Sequence, residues 1–446
     1  MRVNYRVLSI YLLGVFIGAL DTNVLGPAFR VIAANFHVTL GVTAWTITAY
    51  SVAYVAATAL FGALGDRLGH RRIFGLGVAL FGLASVVAAF SPNLTVFLLA
   101  RSLQGAGAGA VYPNAQAEGL GQFPANKRGM ALGMFGAVFG LASIIGPNLG
   151  GALTQFLGWP AVFLINVPLA VVALLSLRRL PASVAALGRG IPDWQGGASF
   201  SLMLAFSLLA ISSSGLGQRL AFLVLAGGAV FWFVRRQHRA QVPFVDGRPL
   251  ANRAGMLVMI GAGLVGLDMA SAVFVPAYAQ EALHLGILAS GFALMPAALA
   301  GAVLAGAGGM LVDRIGPRRV LIMGLLAAAC GGALLAWTPL VWSRFLVAMV
   351  LLGIGTAFTM GAPLNRMGLD LYRAEQSAEA LSLMAVFRSV GIAAGPILLT
   401  MARTAFHGFS GMYGEVALAS LLAIMAFALV PVHAMTVGEA VSTSDA

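Results

Sequence analysis

The alternation of apolar and polar segments along the chain predicts fourteen membrane-spanning helices. Apolar runs of about 20 residues, the length that crosses a bilayer as an α-helix, recur from end to end and are separated by short polar segments. No intervening segment is long enough to fold as a soluble domain. Numbered in chain order, the predicted helices 1 to 14 span residues 7–29, 43–63, 73–92, 94–117, 129–153, 159–177, 194–214, 216–234, 254–279, 287–311, 320–338, 341–363, 379–402 and 412–432.

The composition agrees with an all-α integral membrane fold. Of the 446 residues, 60% are hydrophobic and 9% are charged, whereas soluble domains carry about 25% charged residues. The single cysteine, Cys330, excludes an internal disulfide. The sequence contains no phosphate loop, no nucleophile elbow and no zinc-type spacing of His and Cys, so we expect neither a cofactor nor a metal.

The distribution of basic residues predicts the orientation in the membrane. With residue 1 inside, twenty of the 26 Lys and Arg fall on cytoplasmic segments, which is a strong positive-inside bias. The other six are Arg30, Arg219, Arg344 and Arg403 outside, and Arg101 and Arg388 within the membrane. This bias predicts that both termini lie in the cytoplasm. We expect a multi-pass protein of the inner (cytoplasmic) cell membrane. The bias also accounts for the net charge of +12 without a nucleic-acid partner.

Two pairs of aspartates indicate an internal repeat. Asp66 and Asp313 lie in similar basic turns, and Asp21 and Asp268 each follow a leucine in an apolar run. Both offsets are 247 residues (313 − 66 and 268 − 21). The repeat predicts two pseudo-symmetric six-helix halves with two helices inserted between them. The predicted segments are 1–180, the insert with its basic flanking loops at 181–252, 253–434, and a cytoplasmic tail at 435–446.

Five segments occur in an order that carries a family resemblance. They are the turn Gly62–Arg72, the helix-4 segment Arg101–Gly107, the helix-5 segment Gly146–Gly151, and the segments Leu20–Thr22 and Trp159–Pro168. Together they resemble the major facilitator superfamily, specifically its fourteen-helix drug:proton antiporter branch of multidrug efflux type. The resemblance covers nearly the whole chain. It implies the major facilitator fold with helices arranged 6+2+6, and it implies alternating access.

The helix-5 segment is similar to the family's antiporter motif, with Gly146, Pro147, Gly150 and Gly151 as its members. A proline inside a helix removes a hydrogen bond and kinks the rod. Glycines allow a neighbouring helix to approach closely. These residues therefore predict a kinked, closely packed helix crossing, with a generic packing kink as the alternative.

The sequence also departs from the resembled pattern in three places. His70 stands where the signature turn usually has an arginine, and Ala142 occupies the leading glycine position of the helix-5 motif. The residues after Thr22 also differ from those of the branch. These departures concern the substrate more than the fold.

Asp21 and Arg101 are predicted to form a pair inside the first half. A carboxylate near mid-membrane costs about 2.5–3.5 kcal/mol on insertion scales, so it should be paired or protonated. At about 1.5 Å per residue, Asp21 lies roughly 12 Å and Arg101 roughly 10 Å from the outer helix ends. Protonation of Asp21 would weaken the attraction and bias one conformation. The alternative is a permanent structural ion pair.

Asp268 is the matching acid of the second half, but the position matching Arg101 is Ala348. Its carboxyl group is therefore freer to take up a proton or to meet a cationic substrate. The alternative is a neutral acid that is hydrogen-bonded to a neighbouring helix. Arg388 and Gln104 are further candidates for substrate or proton binding. For Arg388, a structural bond to a carbonyl and a contact with an anion are both open.

The basic turns are predicted to gate the transporter. An acid beside the N-terminus of the next helix, with an arginine nearby, can hold two helices together through charge and dipole interactions. Such a latch must break when the halves move, so its residues are expected to set the rate rather than bind substrate. Glu118 is a candidate partner for the arginines, or else a solvated surface acid. The candidate gating residues are Asp66, Arg67, Arg71, Asp313, Arg314 and Glu118.

The function predicted from these features is secondary active transport. We expect a proton-coupled exporter of small hydrophobic or cationic organic compounds, such as drugs, that works as a monomer in the lipid bilayer. Its partners are a small-molecule substrate and protons. The alternatives are a proton-coupled uptake symporter, a membrane enzyme that uses Asp21 and Asp268 as an acid/base pair, and a non-transporting sensor.

Overall fold

A computed structural model describes residues 5–123, 128–179, 194–213, 215–240, 253–360, 362–369, 377–406 and 408–431. Within these ranges, fourteen helices are long and apolar enough to cross a membrane, as predicted from the sequence. The predicted tail at 435–446 lies outside the described residues.

The helices keep their predicted numbers and order. The first eight comprise Tyr5–Val24 with Phe29–Asn35 (helix 1), Trp45–Leu68 (2), His70–Ala89 (3), Leu94–Gly121 (4), Arg128–Leu157 (5), Pro160–Leu164 with Asn166–Leu177 (6), Trp194–Ser212 (7) and Leu216–Gln237 (8). The last six comprise Arg253–Ala270 with Val275–Ala282 (9), Ile287–Phe292 with Met295–Ile315 (10), Pro317–Ala336 (11), Trp342–Thr359 with Ala362–Leu369 (12), Ser377–Ala405 (13) and Phe409–Ala428 (14).

Helices 1 and 9 are both interrupted by a short 3₁₀ turn. The turns are Gly26–Ala28 and Ser271–Phe274. In helix 1, Pro27 lies at the start of the turn, where the missing backbone N–H is not needed. The proline therefore does not end the helix. The predicted end of helix 1 at residue 29 is wrong, because the helix continues to Asn35.

The turns between helices 2 and 3 and between helices 10 and 11 each consist of a single glycine. Gly69 and Gly316 have φ values of 94° and 84°, a region that favours glycine. Each glycine ends one helix and precedes the first residue of the next. Asp66 and Asp313 therefore lie in the last turns of helices 2 and 10, and not in the turns themselves as predicted from the sequence. The two glycines are also 247 residues apart (316 − 69).

Contacts divide the chain into two compact units. One contains residues 1–244 with 286–292, and the other contains residues 245–285 with 293–446. The two inserted helices belong to the first unit, where helix 7 packs against helices 2 and 8. The division into a separate insert and two equal halves stays a prediction.

Helix 4 is the central helix of the first unit, and glycines allow its close contacts. Gly105 and Gly109 face backbone carbonyl groups of Tyr50 and Tyr54 on helix 2, and Gly107 faces helix 3. In the second unit, helix 9 packs in the same way against helices 13 and 14. This backbone proximity brings the polar side chains of helices 1, 2, 4 and 6 within hydrogen-bonding distance of one another.

Candidate functional site

Asp21 and Arg101 form a buried ion pair in the first unit. One Arg101 guanidinium nitrogen lies 2.6 Å from Oδ2 of Asp21. Each residue is only 1% exposed, so solvent hardly screens the attraction. The predicted contact is therefore present. However, Asp21 and Arg101 do not lie at equal distances from the outer ends of their helices, as the sequence analysis assumed. Asp21 lies 14 residues, or about 21 Å, from the observed end of helix 1.

Two neutral amides complete the coordination of the Asp21 carboxylate. Asn166 on helix 6 donates to Oδ1 at 2.8 Å, and Gln104 donates to the same oxygen at 3.4 Å. Gln104 also accepts from Arg101 at 2.7 Å and donates to the Ser85 hydroxyl at 2.8 Å. Both oxygens of the acid therefore accept hydrogen bonds, an arrangement that stabilises the ionised form.

The Arg101 guanidinium is held from its other sides. Its Nε donates to the carbonyl oxygen of Thr46 at 3.2 Å. Its central carbon lies 4.6 Å from the centre of the Tyr50 ring and 5.7 Å from that of Phe163, close enough for cation–π attraction. The arginine thus links helices 1, 2, 4 and 6. Removing its charge partner would leave a buried cation, which typically costs about 3–5 kcal/mol.

Asp268 in the second unit has a much sparser environment. Ser420 on helix 14 donates to its Oδ2 at 2.7 Å. Its Oδ1 is buried and has no hydrogen-bond partner, and none of the described residues forms an ion pair with it. The residue as a whole is partly buried, and Ala348 at the place matching Arg101 is fully buried. Asp268 is therefore an intramembrane carboxyl group with one neutral donor and, within the described ranges, no cation beside it.

The other two predicted binding residues lie apart from Asp268. Gln104 belongs to the Asp21 network. Arg388 is partly buried on helix 13, and its backbone carbonyl faces Gly266 of helix 9. Within the described residues, its guanidinium forms no hydrogen bond or ion pair, so the predicted bond to a carbonyl is absent. The long side chain extends from a backbone that is packed against helix 9, and its proposed contact with an anion stays a prediction.

The link between helices 2 and 3 is built around His70. Its Nε2 lies 3.3 Å from Oδ1 of Asp66, and its Nδ1 lies 2.8 Å from Oδ1 of Asn114 on helix 4. Arg71 donates to the carbonyl oxygen of Arg178 at the end of helix 6. The pairing of Glu118 with Arg67 or Arg71 stays a prediction.

The matching link in the second unit has a different chemistry. Pro317 stands at the position of His70, so no imidazole joins the helices. Asp313 is exposed and lines a cavity of about 350 Å³ with Asn365 and Arg366. Arg314 is also exposed. One contact is repeated, because Arg318 donates to the carbonyl oxygens of Ala428 and Val430 at the end of helix 14.

The glycines of helix 5 lie at close backbone contacts. A side chain at Gly146 would collide with Asn23, and one at Gly150 would collide with the carbonyl oxygen of Val24, both on helix 1. Gly151 faces the backbone of residues 287 and 288 in the same unit. Pro147 lies within the helix between these contacts. This is the close crossing that the sequence predicts.

Sequence reasoning missed the neutral members of these networks. Asn166, Ser85, Ser420 and Asn114 are polar residues in apolar helices, which was the available signal. Glu415 on helix 14 was also missed; it is partly buried, and its Oε2 has no hydrogen-bond partner. Among the residues that the structure describes, no group of three or more His, Cys, Asp or Glu could hold a metal ion.

Comparisons with known proteins point to one family. The family model of the Major Facilitator Superfamily matches residues 11–396. A puromycin resistance protein of Streptomyces alboniger is 33% identical over 391 residues, which cover 82% of this chain and 76% of that protein. Multidrug resistance protein 3 of Bacillus subtilis is 28% identical over 91% of this chain and 81% of its own length.

Two further similarities extend this comparison. The riboflavin transporter RibZ of Clostridioides difficile is 29% identical over 89% of this chain and 87% of its own length. Among solved structures, the nucleoside transporter NupG superposes with a TM-score of 0.65 at 12% identity, covering 94% of this chain and 99% of that chain. At that identity the likeness concerns the fold alone.

Proposed function

The chain belongs to the Major Facilitator Superfamily, and from this premise we propose that it is a proton-coupled exporter of small hydrophobic or cationic organic compounds. Family membership makes it a multi-pass membrane transporter and excludes the hypothesis of a membrane enzyme. In this proposal, transport occurs by alternating access: two halves of the protein rock against each other around a substrate site near the membrane midplane. Both termini are proposed to face the cytoplasm, and the chain to act as a monomer.

The observation that carries proton coupling is the unequal environment of the two intramembrane acids. Asp268 has one hydrogen bond, from Ser420, and no cation among the described residues. An isolated carboxylate inside a membrane is costly, so this group gains by binding either a proton or a cationic compound. Competition between the two for one carboxyl group would couple them: the proton entering from outside displaces the compound.

Asp21 is the second candidate for the coupling acid, and its geometry sets a condition on that role. Its carboxylate accepts hydrogen bonds from Arg101, Asn166 and Gln104. Protonation would remove the charge that neutralises Arg101, so it requires the arginine to find another partner in a second conformation. We therefore rank Asp268 as the proton site and assign to the Asp21–Arg101 pair the task of fixing helices 1, 4 and 6 to one another.

The direction of transport rests on the relatives and on helix 5. Proteins named for multidrug and puromycin resistance are similar over most of their length. The close contact of Gly146 and Gly150 with helix 1 gives the antiporter motif a physical role, because it keeps this crossing tight. Uptake by symport is the alternative, and the similarity to a riboflavin transporter supplies one compound to test.

The links at residues 66–72 and 313–319 are proposed to gate the cycle. Asp66, His70 and Asn114 tie helices 2, 3 and 4 together. Arg71 and Arg318 bind carbonyl oxygens at the ends of helices 6 and 14, where a cation is favoured by the helix dipole. Arg67, Asp313 and Arg314 complete this proposed set.

Transport by purified protein in proteoliposomes tests the proposal. Ethidium, puromycin and riboflavin serve as probes, with a pH gradient imposed in either direction and then collapsed with an ionophore. We expect a cationic probe to move uphill against the proton flux, and Asp268→Asn to abolish this movement. Glu281→Gln is the matched control, because it changes an exposed acid outside the proposed site. Movement in the same direction as the protons would replace export by symport.

A further inference from the structure

The His70 side chain lies between two oxygen acceptors at one end of the first unit. Its Nδ1 faces the amide oxygen of Asn114 at 2.8 Å, and its Nε2 faces a carboxylate oxygen of Asp66 at 3.3 Å. A neutral imidazole carries a hydrogen on only one ring nitrogen, whereas the imidazolium carries one on each. The protonation form that suits this site therefore depends on whether the Asn114 and Asp66 atoms that face the ring are both hydrogen-bond acceptors.

The orientation of Asn114 is determined by its own hydrogen bonds. Its amide nitrogen donates to the carbonyl oxygens of Phe61 at 3.0 Å and Ala110 at 2.7 Å. A flipped amide would direct its oxygen at two carbonyl oxygens, which is repulsive. The oxygen must therefore face His70, and Nδ1 must be the donor. Gly65 leaves room for this contact, because a Cβ at that position would collide with the Asn114 oxygen.

With Nδ1 protonated, a neutral ring would present the lone pair of Nε2 to the Asp66 carboxylate. Protonation of Nε2 converts this repulsion into an ion pair. We propose that His70 is a proton-binding site that faces the cytoplasm, and that the bound proton completes the chain Asp66–His70–Asn114 across helices 2, 3 and 4. The ligand is the proton itself, taken up from the solvent that reaches the half-exposed Asp66.

Other charged groups near this end of the unit do not replace Asp66 as the contact of the ring. Among the described residues these groups are Arg67 on helix 2, Arg71 and Arg72 on helix 3, Glu118 on helix 4, and Arg178 and Arg179 at the end of helix 6. The arginines oppose protonation of His70, and the adjacent carboxylate favours it. Arg71 directs its guanidinium to the carbonyl oxygen of Arg178.

The proposal makes one of the two repeated links sensitive to pH. Histidine changes its charge between about pH 5 and pH 8, whereas Pro317 at the matching position of the second unit does not titrate. The ion pair between the protonated ring and Asp66 is lost when Nε2 gives up its hydrogen. An effect on the transport rate rests on the proposed function, and the assignment to the cytoplasmic side rests on the proposed orientation. The proton-binding site at His70 depends on neither.

Nitrogen-15 spectroscopy of histidine-labelled protein in lipid nanodiscs tests the site directly. The six histidines give separate ring signals, and His70→Gln identifies the one that disappears. We expect the His70 ring to carry hydrogens on both nitrogens at pH 5.5 and on Nδ1 alone at pH 8.5. Asp66→Asn should narrow the pH range of the doubly protonated form. A ring that is neutral at all these pH values would overturn the proposal.

Thermal unfolding gives an independent readout of the link. His70→Arg carries a fixed charge, so we expect the difference in Tm between the wild type and this variant to change measurably from pH 5.5 to pH 8.5. His70→Gln, whose amide stays uncharged at all these pH values, should show no such change relative to His70→Arg. Parallel pH profiles of the wild type and His70→Arg would contradict the proposal. Neither measurement uses a substrate or a gradient, so each can fail without affecting the proposed export.

Discussion

Ser420 donates a hydrogen bond to Oδ2 of Asp268 at 2.7 Å, joining helix 14 to helix 9. In the first unit, Asn166 of helix 6 donates to Asp21 of helix 1 at 2.8 Å. The acid on the first helix of each repeat is therefore bound by a polar side chain on the last. The difference lies in the added cation, because Arg101 is present in one repeat and Ala348 in the other. Asp21 is therefore paired with a cation, whereas Asp268 has only a neutral hydrogen-bond donor and can exchange a proton for a cationic compound in the proposed cycle.

The proposed orientation can be tested by chemical labelling. In a background in which Cys330, the single cysteine, is replaced by Ala, a cysteine is introduced at His284 or at His238. Both residues are exposed and lie shortly beyond the end of a helix. We expect an impermeant thiol reagent added to intact cells to label the first and not the second. Reversed labelling would contradict the orientation, and labelling of both would contradict the assignment of the spans.

Asp66→Asn should slow transport without removing substrate binding. The change deletes the charge that faces His70 at 3.3 Å, which weakens the proposed latch but leaves the Asp21 and Asp268 environments intact. We expect the transport rate to fall sharply while the Kd changes by less than about tenfold, or roughly 1.4 kcal/mol. The measurements are initial transport rates and equilibrium binding on one preparation. Loss of binding in step with transport would place Asp66 in the site or in folding.

The sequence was sufficient to predict the helices and the Asp21–Arg101 pair, for a common physical reason. Apolar length identifies a span, and a charge inside an apolar run is rare enough to require a partner. The neutral donors were not predictable in this way. Whether Asn166 or Ser85 meets the network depends on how each helix is rotated and packed, which the glycine contacts of helix 4 determine.

Substitutions on helix 5 should separate close packing from mere sequence resemblance. Gly146→Leu or Gly150→Leu introduces a side chain against Asn23 or the Val24 carbonyl group, so helix 5 must move away from helix 1. We expect export to fail while the protein still inserts into the membrane. Gly140→Leu is the control on the same helix, since a Cβ there meets no atom within 4 Å. The readouts are membrane abundance and transport. Normal export by both test variants would contradict the proposal that close packing of helix 5 against helix 1 is needed for transport.

Charge removal from the buried pair should be non-additive. Asp21→Asn or Arg101→Gln alone leaves one buried charge without its partner, which costs about 3–5 kcal/mol. The double variant Asp21→Asn/Arg101→Gln removes both charges and should recover much of that loss. The measurement is the Tm of detergent-solubilised protein for all four combinations. Additive losses would show that the two side chains act separately and that their 2.6 Å contact contributes little coupling.

The acid that exchanges protons can be identified by the loss of uphill export. Asp268→Asn has no ionisable carboxyl group, so we expect it to retain passive exchange of a neutral probe and to lose accumulation driven by the gradient. A proton crossing 100 mV supplies about 2.3 kcal/mol, and this energy would no longer reach the substrate. Binding of a cationic probe should also weaken more than binding of a neutral one.

Ser420→Ala keeps the Asp268 carboxyl group but removes its hydrogen-bond donor. It should therefore shift the pH dependence of export without abolishing export. Asp21→Asn is measured together with the double variant that also carries Arg101→Gln, so that an unpaired arginine is not mistaken for lost coupling. Proton release on addition of the probe, recorded with solubilised protein, should persist in the Asp21 variants and vanish in Asp268→Asn. If uphill export and proton release instead survive in Asp268→Asn and disappear in the folded double variant, Asp21 is the coupling acid. In that case the donors around Asp21 must rearrange during the transport cycle, because a protonated acid cannot neutralise Arg101.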